Sequence, residues 1–303
     1  MRYLRKWNVG DRPRLVRLLL SAAILLLVPM TGSLGRTEAA EAIAGQLFVR
    51  DAITVPGRAV RIEARLVRPG LLGARGLGGE PLEFWIAEKK AGVAMTGGDG
   101  RAFFEYTPRM RGTQTVAVRL ASTKRVHSPD AAGIVASWER RRAILLVDVA
   151  GLVEAAAATS FPLPSLPLEV GPRERPAPLP EAVEELKRLT DYYFNVVYVV
   201  RSVEEEETVR GGVRAWLGRH RLPAGLLMAA KSDPAALGRL VDALRAEGWT
   251  IKAGVGRTKD FAEVLVERRV AAVILPATVK DEDLPKKARA VKDWKEVRRT
   301  LQG

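Results

Sequence analysis

The sequence predicts two domains: an all-β sandwich over residues 43–139, then an α/β unit with a parallel sheet over 140–303. Three observations carry this. Between residues 45 and 138, short runs of alternating apolar and polar residues are separated by Gly, Pro and Asp clusters, the pattern of half-buried antiparallel strands. From Ala143 the rhythm changes to strand, helix, strand, helix, which implies a doubly wound sheet. About 260 residues beyond the N-terminal segment are too many for one small core.

The first seventeen residues carry Arg2, Arg5, Lys6, Arg12, Arg14 and Arg17 against Asp11. The apolar run LLLSAAILLLVP (18–29) follows, and it is shorter than the roughly 20 residues a spanning helix needs. A basic stretch, a short apolar run and then small residues form the pattern of a secretory signal peptide. Ala-x-Ala triplets at Ala40–Ala42 and Ala42–Ala44 place cleavage near Ala42, giving a leader over 1–42. The other reading is an uncleaved anchor, which would hold the protein at a membrane. Export is expected in both. Cysteine is absent, which excludes disulfides and Cys-ligated metal sites. The net charge of +14 is spread over both halves, and aromatics make up 6%. A nucleic-acid binder would show a basic stripe with interleaved aromatics, so the expected partners are an envelope protein, polymer or anionic lipid, and not nucleic acid.

In the first half, strands are predicted at 45–49, 59–67, 81–88, 101–108, 113–121 and 133–138. AVRIEARLV alternates strictly, with Val60, Ile62, Ala64 and Leu66 on one face. TGGDG (96–100) is a turn needing positive φ. The stretch TGGDGRAFFEYTP (96–108), then Gly112 and VAVRL (116–120), resembles bacterial immunoglobulin-like domains. That resemblance implies a sandwich and no particular ligand. His127 reads as a loop residue, and Trp85 and Trp138 as packing residues.

In the second half, AILLVDV (143–149) is a continuous apolar run, as expected of a central strand covered on both faces. Helix 180–193 begins at Pro180, strand two is 195–200, and a helix is predicted over 203–222, weakened by Gly211 and Gly212. Strand three is 225–230. Ser232 is read as the cap of helix 234–249. Strand 251–256, helix 258–269 and strand 270–276 follow, with a Pro-rich insertion at 153–180 and a charged tail at 277–303 that holds a helix from Lys286 to Leu301. The acidic run Glu204–Glu207 suits the first turn of its helix. His220 reads as packing or capping.

Three stretches, AILLVDVAGLVE, NVVYVVRS with VRAWLGRHRLPAGLLM, and IKAGVGRTKDFAEVLVERRVAAVILP, resemble the haloacid dehalogenase (HAD) superfamily. They look most like its lipin-type phosphatidate phosphatase branch. The resemblance implies an Asp nucleophile, a second Asp two residues on as acid/base, magnesium, and a hydroxyl and a lysine on the phosphoryl group. Matched position by position, Asp148 takes the nucleophile's place and with Asp260 would hold magnesium. Lys231 and Ser202 are weaker matches to the phosphate contacts. Ala150 stands where the acid/base should be, and Leu152 where a threonine should be. Asp148 has a plain structural alternative: capping a turn or pairing with Arg201. One related branch carries Ala at that place and uses a cap lysine, but residues 153–180 contain no lysine.

The expectation is an exported protein whose HAD-like domain is catalytically inactive, acting as a binding or scaffolding protein at the cell envelope, with no cofactor. The competing expectation is a magnesium-dependent phosphatase on a lipid or sugar phosphate that uses Asp148.

Overall fold

The computed structural model describes residues 42–70, 73–154, 176–202, 206–276 and 281–302. Residues 1–41 of the predicted leader, residues 155–175 of the Pro-rich insertion, and Glu204 and Glu205 lie outside those ranges. The two halves belong to one compact unit, Ala40–Gly303.

The N-terminal half contains β1 (Ile43–Ala44), β2 (Gln46–Val49), β3 (Ala52–Thr54), β4 (Val60–Arg68), β5 (Arg75–Gly76), β6 (Pro81–Ile86), β7 (Lys89–Met95), β8 (Arg101–Tyr106), β9 (Gly112–Leu120), β10 (Val126–His127) and β11 (Ala131–Ser137). One sheet runs β3-β11-β9-β6-β7, and another holds β2, β4 and β5 with β8 on β4. Ile62, Ala64 and Leu66 of β4 meet Leu82, Phe84 and Ile86 of β6, and Val116 and Val118 of β9, in one buried cluster. The two sheets therefore face each other as a sandwich, on the face that the period-two pattern of β4 predicts. The TGGDG turn closes as expected. Gly100 sits at φ 79°, and a Cβ there would lie 2.1 Å from the Leu66 carbonyl oxygen.

Strand β7 has no counterpart among the predicted strands, and the strand predicted over 81–88 ends at Ile86. The chain instead reverses at Ala87 and Glu88, with φ of 47° and 65°. Such turns favour Gly or Asn, so Ala-Glu carries no turn signal.

The C-terminal half contains β12 (Ile144–Asp148), α1 (Pro180–Tyr192), β13 (Asn195–Ser202), α2 (Glu206–Arg219), β14 (Leu226–Lys231), α3 (Pro234–Ala246), β15 (Ile251–Gly256), α4 (Lys259–Glu267), β16 (Ala271–Ile274), β17 (Ala288–Ala290) and α5 (Trp294–Gln302). The sheet order is β14-β13-β12-β15-β16-β17, and each neighbouring pair is parallel. Leu145 and Val147 of β12 face a core shared with α1, α2 and α5. Ile144 and Leu146 face the other core, with α3 and α4. Burial on both faces explains the unbroken apolar run.

Three expectations need correction. Asp233, not Ser232, caps α3, its Oδ1 accepting from Ala236 N at 2.7 Å; Pro234 at the first helical position leaves the residue before it as cap. The helix expected from 203 to 222 spans Glu206–Arg219 within the described residues. The helix expected from Lys286 is first a strand, Ala288–Ala290, which extends the sheet edge beside β16, and only then α5. Trp294 and Val297 of α5 are buried against the sheet, so this tail belongs to the core. Among the described residues, no helix is long and apolar enough to cross a membrane.

The second core is not closed by helices alone. Ile134, Ala136 and Trp138, from and just after β11, pack into it beside Ile144, Leu146 and Trp249, and the Trp138 and Trp249 rings meet edge-on at 6.4 Å. Asp51, in the break between β2 and β3, joins the halves by hydrogen bonds. Its Oδ1 accepts from Ile134 N at 3.0 Å, and its Oδ2 accepts from Leu227 N at 2.7 Å and from the Arg214 guanidinium. Leu227 lies on the sheet's edge strand β14, so this carboxylate satisfies an edge amide that would otherwise be open for pairing. Asp51→Ala would strip the counter-charge from Arg214 and leave two amides without an acceptor. The expected loss is about 3 kcal/mol of unfolding free energy, read by urea titration of tryptophan fluorescence; a loss below about 1 kcal/mol would show the staple to be dispensable.

Candidate functional site

In open α/β sheets, ligands bind outside the carboxyl ends of the strands where the strand order reverses. Here that place lies between β12 and β15, and Asp148 is the last residue of β12. Its side chain is 2% exposed. Oδ1 accepts from Ala150 N at 3.0 Å, capping the short 3-10 turn Val149–Leu152. Oδ2 lies 3.2 Å from Arg201 Nη2, an ion pair outside hydrogen-bond geometry.

Arg201, near the end of β13, reaches the same crevice with its side chain 12% exposed. Nη1 donates to Asp260 Oδ2 at 2.7 Å and Nη2 to Thr258 Oγ1 at 2.8 Å. One guanidinium thus spans the carboxylates of β12 and of the first turn of α4. Its plane sits above the Phe261 ring, 5.9 Å from the centroid. Arg257 adds a second cation: Nε donates to the Ala150 carbonyl at 2.9 Å and Nη2 to the Val153 carbonyl, pinning the turn after Asp148.

The two carboxyls are pushed apart electrostatically. Burial raises Asp148 above the usual 3.8, with Arg201 pulling the other way. Partial burial would raise Asp260 too, but the Thr258 hydroxyl and Arg201 outweigh it and hold Asp260 below 3.8. Burial alone would lower Arg201, yet Asp148 and Asp260 reverse that and keep it charged. Desolvation lowers Arg257, partly offset by Asp148.

A magnesium ion does not fit these residues. Asp148 and Asp260 do converge on one cation, but it is the Arg201 guanidinium, and Arg257 flanks it. Arg201 already stands between the two carboxylates, and a divalent ion placed there would meet its guanidinium. Among the described residues, no group of three His, Asp or Glu is arranged to hold a metal.

The other sequence candidates stand apart from this cluster. Asp148 pairs in register with Val199, whereas Ser202 lies three residues further along β13, about 10 Å at the usual strand rise. Lys231 is exposed and lies across from Ser202 on β14, so a second strand separates it from β12. His220 packs its ring 5.2 Å from Trp216, and Glu207 pairs with Arg65 of the sandwich at 2.7 Å. Arg257 and Thr258 went unremarked in the sequence. The signal for them was their place directly after β15, beside the strand that ends in Asp148.

Neither a protein-family model nor a curated protein sequence matches the chain. Among solved structures, it is similar to the fibronectin(III)-like modules of Clostridium thermocellum CbhA, at 10% identity over 33% of this chain and 49% of that one, with a TM-score of 0.25. It spans about half the length of that chain. It is also similar to an uncharacterized protein from Listeria monocytogenes serotype 4b, at 17% identity over 53% of this chain and 97% of that one, TM-score 0.40. A third is the CARDB domain of PF1109 from Pyrococcus furiosus, solved with di-metal ions, at 12% identity over 31% of this chain and 92% of that one, TM-score 0.22. Likenesses of this extent carry no argument about function.

Removing the shared cation has a definite cost. Arg201→Ala should lose about 3 kcal/mol of stability, because it leaves a buried carboxylate unpaired, with millimolar magnesium restoring part of the loss in a thermal melt. Asp148→Asn should stay within about 1 kcal/mol of the parent, since Asn keeps an acceptor for Ala150 N and the Arg201–Asp260 pair survives. Two carboxylates set the pH dependence: burial raises Asp148, so its share of the Arg201→Ala loss fades first as pH falls, and that of Asp260 follows. The folded pKa of Asp260 lies below 3.8, so its contribution is present above that value and is lost as pH falls through the folded value. Acid melts of the parent and Arg201→Ala should therefore converge below pH 3.8; parallel curves would remove Asp260 from the account.

Proposed function

We propose that this chain is an exported protein whose C-terminal half is a HAD-like domain without phosphatase chemistry, and that it acts by binding or scaffolding at the cell envelope. The observation that carries this is the Arg201 guanidinium between Asp148 and Asp260. It takes up the charge that a HAD phosphatase would offer to a metal. Ala150 supplies no general acid, a group typically worth 10²–10⁴-fold in rate. Burial raises Asp148, which works against an ionised nucleophile, and its Oδ1 is engaged as a turn cap. The 3-2-1-4-5-6 order of the sheet, counted by its own strands, supports the HAD-like reading. Export rests on the basic and apolar pattern of residues 1–42. The partner is an envelope protein, polymer or lipid surface, met in part through the sandwich.

The test is magnesium-dependent hydrolysis of a panel of phosphate esters, phosphatidate included, by the purified protein beside Asp148→Asn. Equal background in both is the expected outcome. Turnover that disappears in Asp148→Asn would establish the magnesium-dependent phosphatase instead, with Asp148 as its nucleophile.

A further inference from the structure

A cleft of about 690 Å³ opens between the sandwich and the amino ends of β12 and β13. Arg111, Ser137 and Glu139 line it from one side, and Arg142, Tyr193 and Asn195 from the other. Asp148 lies at the opposite, carboxyl end of β12. The cleft is therefore a separate place from that crevice and owes nothing to the HAD-like reading.

Its charge is one-sided. Glu139 is the one carboxylate among the lining residues, and it pairs with Arg141 at 2.7 Å and with Arg111 at 3.6 Å. Arg141, and after it Arg111, hold its carboxyl below the usual 4.5, so it is ionised at neutral pH. The third guanidinium, that of Arg142, meets no carboxylate among the described residues. Its Nη2 donates to the Thr190 carbonyl, and its Nε is buried without an acceptor. Ser137 is a second group of this kind: fully buried, part of the cleft wall, its Oγ without a partner among the described residues. Buried donors without acceptors are costly and call for one, and here they stand beside three arginines and a single glutamate.

The rim carries a second, independent signal. Six large hydrophobic side chains stand exposed among the described residues, and three of them gather here. Tyr193 lines the cleft, Tyr192 is its neighbour in sequence, and Met110 directly precedes Arg111. Met110 is 75% exposed and Tyr192 77%. A soluble ligand held inside the cleft has no use for apolar groups outside it. A lipid interface does: tyrosine rings sit at headgroup level, apolar side chains enter the acyl boundary, and arginines meet phosphates.

We propose that this face docks on a bilayer containing anionic phospholipid, with a headgroup phosphate between Arg141 and Arg142 and with Met110, Tyr192 and Tyr193 at the acyl boundary. The proposal rests on the reading above for export alone, and vesicle binding is measured apart from any hydrolysis assay. The test is co-sedimentation of the compact unit from Ala40 onward with vesicles, which keeps the apolar run 18–29 out of the comparison. Binding to vesicles of phosphatidylglycerol with phosphatidylcholine should be at least about ten-fold tighter than to phosphatidylcholine alone. Arg141→Gln with Arg142→Gln should weaken it about ten-fold or more, whereas Arg68→Gln with Arg75→Gln, on β4 and β5 away from the cleft, should change it less than about three-fold. Met110→Ser with Tyr192→Ser should weaken vesicle binding about five-fold or more and leave calorimetric binding of inorganic phosphate unchanged. Thermal melts matching the parent certify each variant. Should the Arg141 and Arg142 pair fail to fold, Arg111→Gln with Arg141→Gln takes its place, since those side chains are 72% and 78% exposed. No preference for anionic vesicles, an equal loss in the remote pair, or full binding in Met110→Ser with Tyr192→Ser would each overturn the proposal; the last, with inorganic phosphate bound, would make the cleft a site for soluble phosphate.

Discussion

A buried carboxylate is expensive unless every lone pair it turns inward finds a donor. Asp51 meets that condition with donors drawn from both halves of the chain: Ile134 N from the sandwich, Leu227 N and the Arg214 guanidinium from the α/β half. Burial raises its pKa, while Arg214 and the two amides pull the other way. The geometry around it leaves little freedom. Helix α2 must lie where Arg214 can reach Asp51, and β14 must present its free edge to the β2–β3 break.

In the crevice at the end of β12 one guanidinium serves two carboxylates. A guanidinium offers five N–H donors fixed in one plane, where a metal ion offers an open coordination shell. Arg201 uses its donors on Asp260 and Thr258 and places the remaining charge against Asp148. The site is self-neutralised, with Arg257 closing the turn that follows. Such an arrangement ties the end of β12 to the first turn of α4 and to the turn that follows Asp148.

Much of this was legible in the sequence because burial leaves a mark on composition. The alternation of AVRIEARLV and the continuous run of AILLVDV each gave strand and covering pattern together. Elements that depend on tertiary partners left weaker marks. Strand β7 follows an Ala-Glu turn, and most of its own residues are exposed. Strand β17 is three residues long and exists because β16 offers it an edge. At the site, Asp148 could be named from its place at a strand end, and pairing with Arg201 was one of the readings open for it. That Arg201 also binds Asp260, and that Asp51 crosses between halves, are contacts at sequence separations of 59 and 176 residues. No local pattern encodes those.

Strand β11 belongs to two interiors at once. Val135 lies in the sandwich core, while its neighbours Ile134 and Ala136 lie in the core of the α/β sheet. A strand whose opposite faces serve different cores acts as a shared wall, and a shared wall makes the boundary near residue 140 a poor place to divide the chain. Cut there, the α/β half would lose the cover over Ile144, Leu146 and Trp249 and present a greasy face to water, the kind of surface that drives self-association. The halves therefore melt together, in one transition seen equally by tryptophan fluorescence and far-ultraviolet circular dichroism; two separated transitions would show the wall to be a mere contact.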